Sequence, residues 1–197
     1  MTRVVAIDGL CEVCDVNWQH IRIETERLIL RPPQQEDFDA WAANMADEEA
    51  ARFIGGYQPR AAAWRGFLTM AGAWAIQGFG MFSVIEKSTG QWVGRLGPWQ
   101  PEGWPGTEVG WGLARSAWGK GYALEGAVAS IDWAFEHLGW NDVIHSIDRD
   151  NQASQALAIR LGSRNRGPGR LPAPLEDLEI DIWGQTREEW LQRRQQS

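Results

Sequence analysis

The sequence of 197 residues has no long apolar run, a deficit of basic side chains and only two cysteines. No stretch of about 18 apolar residues occurs, so no transmembrane helix is expected. An apolar run at residues 4–7 is broken by Asp8 and is too short for the core of a signal peptide. These absences predict a cytoplasmic protein, with enough apolar residues to bury one globular core.

Acidic side chains outnumber basic ones by 26 to 19, which gives a net charge of −7. Binding to nucleic acid requires a basic surface, so nucleic acid is not an expected partner. The surplus of acid favours a cationic substrate such as an amine. Cys11 and Cys14 form a single Cys-x-x-Cys pair. A structural zinc site needs four ligands, so we expect no metal and two reduced thiols in an N-terminal extension.

Apolar spacing divides the chain into helices and strands. The order is strand, two helices, three strands, helix, strand, helix and two strands, without repeats or an internal linker. It predicts one α+β domain at 22–185, after an extension of uncertain order at 1–21 and before a short helix and tail at 186–197. Strands are expected at 22–31, 79–87, 91–99, 107–114, 142–148, 163–170 and 178–184, and helices at 38–45, 64–75, 124–138 and 151–161. Asn151 is expected to cap the last of these helices, and Thr186 with Glu189 to form the capping box of the short C-terminal helix.

The strand at 107–114 carries glycines on one of its faces. Alternation puts Val109, Trp111 and Leu113 toward a core, while Glu108, Gly110 and Gly112 share the opposite face. Glycines leave the backbone bare, so an extended ligand is expected to lie against this face and pair with its amides.

The nine residues at 115–123 follow that strand and lead into a helix. Gly119 and Gly121 flank Lys120, an arrangement that lets successive N–H groups converge on a phosphate at the helix N-terminus. Gly-x-Gly alone also suits a plain strand-to-helix turn. The segment is neither a P-loop nor a dinucleotide fingerprint. A diphosphate with a peptide-like arm, as in coenzyme A, suits the nest and the adjoining strand.

These residues carry a resemblance to a known family. Residues 118–123, preceded by 108–113, are similar to the coenzyme A signature of the Gcn5-related N-acetyltransferases (GNAT). Residues 25–31 and 148–154 resemble the branch of ribosomal-protein N-terminal (RimJ/RimL-like) acetyltransferases. The likeness covers roughly 22–185. It implies a mixed, mostly antiparallel twisted sheet of about six to seven strands, flanked by helices and splayed at the acetyl-CoA site.

The resemblance also implies the reaction and its donor. An acetyl group would pass from acetyl-CoA to a primary amine, either a peptide or protein α-amine or a small molecule, by direct attack in a ternary complex. The residues that the resemblance assigns to the pantetheine arm or the pyrophosphate are Leu113, Ala114, Arg115, Trp118, Gly119, Lys120, Gly121, Tyr122, Ala123, Asn151 and Ser154.

Two residues are predicted to move protons. Glu108 is the candidate general base, acting directly or through water, although it could instead pair structurally. Many relatives carry a tyrosine as the acid, but that position is Ala158 here. Ser154 is therefore the candidate acid, with solvent as a substitute. An acidic residue that some relatives carry is replaced by Arg166, which leaves no base from that position.

The acceptor side is less defined. Trp104, in a Gly/Pro loop, and Trp99 are candidates for contacting the substrate, and His145 is expected to pack in or beside the sheet. A coenzyme A-binding sensor or interaction module without turnover is the alternative function. A transferase with a cysteine nucleophile is disfavoured, because neither cysteine is near the nest. The acceptor amine, and the choice between monomer and homodimer, are not specified by the sequence.

Overall fold

The computed structural model describes residues 18–195, so the expectations for Cys11 and Cys14 lie outside the described residues. Within that range the chain forms eight strands and six α-helices. The strands are β1 (Ile23–Glu24), β2 (Leu28–Arg31), β3 (Phe82–Glu86), β4 (Trp92–Trp99), β5 (Glu108–Leu113), β6 (Asp142–Asp148), β7 (Arg164–Gly169) and β8 (Ile180–Thr186). The helices are α1 (Phe38–Met45), α2 (Glu48–Ala51), α3 (Arg60–Gln77), α4 (Tyr122–His137), α5 (Gln152–Leu161) and α6 (Arg187–Gln195).

All eight strands belong to one sheet in the order β1-β2-β3-β4-β5-β6-β8-β7. Every neighbouring pair is antiparallel except β5 and β6, which run parallel. The expected α+β architecture with a mixed, mostly antiparallel sheet is confirmed. The sheet has one strand more than the six to seven expected, because the run at 22–31 is not a single strand. Thr25 turns the chain there: its hydroxyl accepts from the Leu28 N–H at 3.0 Å, which separates β1 from β2.

Helices cover both faces of the sheet. On one face, Val109 of β5 packs with Ala127 and Ile131 of α4. On the other, Trp41 of α1 packs with Phe67 of α3. The apolar stripes that predicted these helices therefore point into two separate cores, with the sheet between them.

The two ends of the described chain also pack on the domain. The ring of Trp18 stacks on Trp74 with centroids 6.4 Å apart. At the other end, Thr186 and Glu189 exchange side chain–backbone hydrogen bonds at 2.9 and 3.2 Å, which is the capping box that begins α6. Trp190 then donates to Asp132 of α4 at 2.7 Å. Within residues 18–195, none of the helices has the length and apolarity to cross a membrane.

Candidate active site

The parallel pair β5–β6 stops after a single paired position, Glu108 opposite Ile144. In a parallel ladder the next hydrogen bond would join the Ser146 N–H to the Val109 C=O. Here the Ser146 N–H and the Val109 C=O form hydrogen bonds with side chains instead. The Val109 C=O pairs with Nδ1 of His145 at 2.7 Å, and the Ser146 N–H bonds to the Glu108 carboxylate. The two strands are consequently unpaired beyond this point, which leaves a slot between them.

His145 is held in one protonation state by its partners. The ring is 1% exposed, and a carbonyl can only accept, so Nδ1 carries the proton that is donated to Val109. Nε2 then accepts from the Ser163 hydroxyl at 3.0 Å, whose oxygen accepts from the Gln185 amide at 3.0 Å. Burial lowers the pKa of His145 to about 4, so the ring is neutral at pH 7. The expectation that His145 packs in the sheet is confirmed.

Glu108 lies at the end of the slot where β5 and β6 begin to separate, and it is 7% exposed. Its Oε2 accepts from Nε1 of Trp104 at 2.6 Å and from the Ser146 hydroxyl at 2.7 Å. Burial raises the pKa of this carboxyl to about 7, against the opposing effect of these hydrogen bonds and of the Arg95 charge. A carboxyl whose pKa is close to 7 can take up and return a proton under physiological conditions.

Glu108 belongs to a strip of residues on one face of the β4–β5 pair. Residues directly opposite one another in antiparallel strands share a face. We call this strip the glycine face, because three of its six members have no side chain. Its opposed pairs are Arg95–Gly112, Gly97–Gly110 and Trp99–Glu108. Trp99 and Trp104, the two candidates for substrate contact, thus both lie beside Glu108.

Protein side chains cover part of the glycine face. A Cβ on Gly110 would lie 2.7 Å from the Met81 methyl, and one on Gly112 would lie 3.1 Å from the Ile54 methyl. The expectation that an extended ligand lies against Gly110 and Gly112 is therefore wrong for this state of the protein. The glycines instead make room for side chains that pack against the sheet, and a ligand can reach the backbone only along the strand edge.

That strand edge offers backbone groups to the slot. The Val109 C=O points to β6, while the Ala114 N–H bonds to β4, so alternation turns the backbone groups of Trp111 and Leu113 toward β6. The Leu113 C=O already accepts from Nε1 of Trp118 at 2.9 Å. The N–H and C=O of Trp111 and the N–H of Leu113 are the groups that remain for an extended ligand.

The loop between β5 and α4 is a nest of amides. Within residues 18–195, no acceptor is present for the six consecutive N–H groups of residues 119–124. Gly119 and Gly121 have φ of +73° and +80°, a left-handed conformation that glycine adopts without strain. Arg27 donates to the Lys120 C=O at 2.8 Å, which keeps that carbonyl directed away from the amides. Such a nest at a helix N-terminus binds an anion.

Other predicted residues of this loop are engaged with protein. The Arg115 side chain pairs with Asp47 at 2.8 Å, and the buried Tyr122 hydroxyl donates to Glu86. The Lys120 ammonium lies 3.7 Å from the same Glu86 carboxylate and stays half exposed. Arg115 and Tyr122 can therefore serve a ligand at this loop through their backbone, and Lys120 through its charge as well.

The first turn of α5 lines the other side of the slot. Asn151 caps the helix, because its Oδ1 accepts from the Ser154 N–H at 3.1 Å, as the sequence predicts. The Ser154 hydroxyl accepts from Nε1 of Trp111 at 3.0 Å, which connects α5 to β5. Ala158 is fully buried one turn later. Ser154 is thus the hydroxyl that α5 presents at the slot.

Sequence reasoning missed three contributors to this site. Arg95 is the one charged residue in an otherwise apolar strand, and that contrast was an available signal; Ser146 lies in a strand with other polar residues and gave none. Arg27 reaches Lys120 across 93 residues of chain, and nothing local indicates the contact.

Comparison with known proteins identifies the family. Residues 27–164 match the model of the acetyltransferase (GNAT) domain, which is most of the chain. The protein belongs to the GNAT acetyltransferase family. Its sheet and helices also superpose on solved GNAT-type structures over nearly their full length.

An acetyltransferase from Agrobacterium tumefaciens shares 29% identity, with a TM-score of 0.73 over 93% of this chain and 99% of the other. A GNAT-family acetyltransferase from Bacillus anthracis shares 22%, with a TM-score of 0.69 over 83% and 96%. RimJ of Mycobacterium smegmatis, solved in complex with CoA-disulfide, shares 20%, with a TM-score of 0.65 over 82% and 83%. The last two similarities establish the shared fold alone.

The opposite pKa shifts of Glu108 and His145 predict how stability depends on pH. The raised pKa of Glu108 makes the folded state lose stability as pH rises from about 4.5 to about 7. The lowered pKa of His145 makes it gain stability between about 4 and 6.5. Between pH 4.5 and 6.5 the two effects oppose each other in the native protein. In Glu108→Gln only the His145 effect remains.

We therefore expect the melting temperature of Glu108→Gln, relative to the native protein, to increase as pH rises from 4.5 to 7, as measured by calorimetry. Glu102→Gln removes an exposed carboxylate from the loop that precedes β5 and is the control for the loss of one carboxylate. A flat difference for Glu108→Gln would mean that the pKa of Glu108 is not raised.

Proposed function

We propose that this GNAT-family protein transfers an acetyl group from acetyl-CoA to a primary amine, by direct attack of the amine within a ternary complex. The observation that carries the proposal is the continuity of the slot: unpartnered amides at one end, a free strand edge along it, and Glu108 at the other end, where β5 and β6 begin to separate. A donor with a diphosphate and an amide-containing arm fits the first two features, and a proton acceptor for the amine fits the third.

The donor would be held mainly by backbone groups. The free amides at 119–124 suit its pyrophosphate, and the N–H and C=O of Trp111 with the N–H of Leu113 suit the amides of its pantetheine arm. The Trp118 N–H is bonded to the Arg115 C=O and is not available to the ligand. Ala114 contributes less than the sequence predicts, because its N–H is bonded to β4. Asn151 and Ser154 would border the arm from α5. Acetyl-CoA supplies the activated thioester, and the chain supplies its orientation.

Glu108 would accept the proton that the amine loses. The amine nitrogen attacks the acetyl carbonyl carbon, a C–N bond forms, and the surplus proton passes to Glu108 directly or through water. An α-amine with a pKa of about 8 is roughly one-tenth neutral at pH 7, so a base with a pKa near 7 is adequate for it. Trp104 and the two groups of Ser146 fix the carboxylate in place.

Ser154 would supply the proton that the leaving thiolate takes up. When the C–S bond breaks, the Ser154 hydroxyl can donate to sulfur and recover its proton from solvent. The hydrogen bond from Trp111 to Oγ stabilises the negative charge that develops on this oxygen, which partly compensates for the weak acidity of a hydroxyl.

The proposal includes membership of the RimJ/RimL-like branch, but it specifies the acceptor only as a primary amine. The M. smegmatis RimJ structure was solved with CoA-disulfide, which supports a coenzyme A-type ligand for the shared fold. Its 20% identity carries no information about the acceptor. Both a peptide α-amine and a small amine remain possible acceptors under this proposal. We also propose that the acetyltransferase domain extends over residues 22–185.

The amide nest predicts that Gly121→Ala weakens coenzyme A binding. A Cβ at φ +80° is strained and would lie 3.4 Å from the Arg27 guanidinium that holds the Lys120 carbonyl. A loss of roughly 1.4 kcal/mol in binding corresponds to a tenfold weaker affinity, and we expect at least that in a calorimetric titration with coenzyme A.

Gly139→Ala is the matched control for that titration. Gly139 also has a left-handed φ, +67°, but open space around its Cα. Both variants should lose about 1 kcal/mol of folding stability, while only Gly121→Ala loses affinity. Equal affinities for the two variants would remove the nest from the proposal.

The role of Glu108 predicts the kinetics of Glu108→Gln. Loss of a general base should lower kcat about 100-fold while coenzyme A binding is retained. In the native enzyme kcat/KM should rise with pH through about 7, the pKa of Glu108, and again as the amine deprotonates. The variant should show only the second rise, so its kcat/KM should depend less steeply on pH below about 7.

The measurement is release of free thiol from acetyl-CoA with a panel of amines, and Glu102→Gln is again the control. Unchanged kinetics in Glu108→Gln would exclude Glu108 as the base. Coenzyme A binding with no thiol release on any amine would replace the transferase by the sensor alternative.

A further inference from the structure

Arg95 of β4 is an arginine that forms no ion pair with a carboxylate of the described chain. Within residues 18–195 no carboxylate lies within 4.0 Å of its guanidinium, and its Nε is buried without a hydrogen-bond acceptor. Two other arginines near this face are neutralised: Arg31 pairs with Asp37 at 2.7 Å and Arg115 with Asp47 at 2.8 Å. A buried cation with donors left over is unfavourable unless an anion completes it.

Two further polar groups, on the helix α1 that packs against β4, are also unsatisfied. The guanidinium lies over the ring of Trp41, 5.2 Å from its centroid. Trp41, 4% exposed, has a buried Nε1 without an acceptor, and Asn44, 6% exposed and one turn along α1, has a buried Oδ1 without a donor. We call these three residues the Arg95 cluster. Of the four buried side-chain atoms without a partner in the described chain, the cluster holds three.

The cluster and Glu108 lie at opposite ends of the glycine face. Arg95 is paired with Gly112, which is four residues from Glu108 along β5. The Cα atoms of Gly112 and Glu108 are therefore about 13 Å apart. The Glu108 carboxylate lies over Gly110, between these two positions. Met81 fills the space between them: its methyl lies over Gly110 and its sulfur contacts the Arg95 guanidinium. Methionine is the side chain that adapts most readily to a changed neighbour. A ligand that displaces Met81 would reach both charges.

We propose that the Arg95 cluster binds a carboxylate of the acceptor, so that the acceptor is an amine that also carries a carboxylate. This inference rests on the proposed function and names its substrate class. An unpaired guanidinium would repel a simple ammonium ion, but it attracts a zwitterion whose amine lies at Glu108. The planar guanidinium fork matches the two carboxylate oxygens, and the Trp41 N–H is a further donor. The single positive charge of Arg95 matches an acceptor with a single carboxylate at this position.

The first test compares acceptors that differ only in the carboxylate. Each amino acid from glycine and L-alanine to 6-aminohexanoate is assayed beside its amide, and Ser-Asp beside Ser-Asn, with thiol release as the readout. The native enzyme should prefer the carboxylate form of at least one pair by about tenfold or more in kcat/KM, the scale of one charge-assisted hydrogen-bonded pair. The pair that responds also distinguishes free amino acids from acidic peptides.

Arg95→Gln should abolish that preference, because kcat/KM falls more for the carboxylate form than for its amide. Arg95→Lys, which keeps the charge but not the fork, should retain part of it. Arg22→Gln removes an exposed arginine that pairs with Glu24 and is the control. The fold of Arg95→Gln is checked by its melting temperature, which should not fall, because an unpaired buried cation is removed.

A binding measurement decides the inference even without turnover. N-acetyl-L-alanine, its amide and the corresponding longer N-acetyl amino acids are titrated into the protein in the presence of coenzyme A. Binding of a carboxylate at least tenfold tighter than that of its amide, lost in Arg95→Gln, supports the inference. Equal binding of both forms, or a preference unchanged in Arg95→Gln, overturns it. Absence of thiol release with every amine overturns the proposed transferase activity instead.

Discussion

The site depends on one hydrogen bond that the sheet does not make, between the Ser146 N–H and the Val109 C=O. Because Glu108 and His145 satisfy these two groups, β5 and β6 can separate without leaving an unpaired buried amide or carbonyl. The neutral state of His145 is part of this arrangement. Only a neutral imidazole can donate to Val109 and also accept from Ser163, whose oxygen is already occupied by the Gln185 amide. Burial disfavours the charged form of both side chains, so it raises the pKa of the Glu108 carboxyl and lowers the pKa of the His145 imidazole.

Contacts between distant segments keep the slot in shape at its other end. Arg27 binds the Lys120 carbonyl and also forms an ion pair with Glu125 at 2.6 Å, so the turn between β1 and β2 holds the first turn of α4. The bond from Trp111 to Ser154 spans the slot to α5. The anion-binding amides and the candidate base are consequently fixed by different elements, on opposite faces of β5. A donor and an acceptor can therefore approach the same strand from its two sides without competing for space.

The parts of the site that were predictable from sequence are those that local chain geometry determines. Asn151 caps α5, Thr186 and Glu189 cap α6, and Gly119 and Gly121 adopt the left-handed conformation, all through contacts within a few residues. The missed features depend on register and tertiary packing. The position of Met81 over Gly110 and of Arg95 beside Trp41 follows from which strands and helices meet, and the turn that divides 22–31 depends on a single hydroxyl of Thr25.

The two charges on the glycine face are coupled. Burial dominates the raised pKa of Glu108, and the Arg95 charge is among the influences that oppose it. A carboxylate bound at Arg95 would neutralise that opposing charge. This change makes the Glu108 carboxylate more basic at the moment when an amine is positioned beside it. On this argument the proposed subsite for the acceptor's carboxylate does more than select the substrate: its occupation increases the proton affinity of the base that the reaction requires.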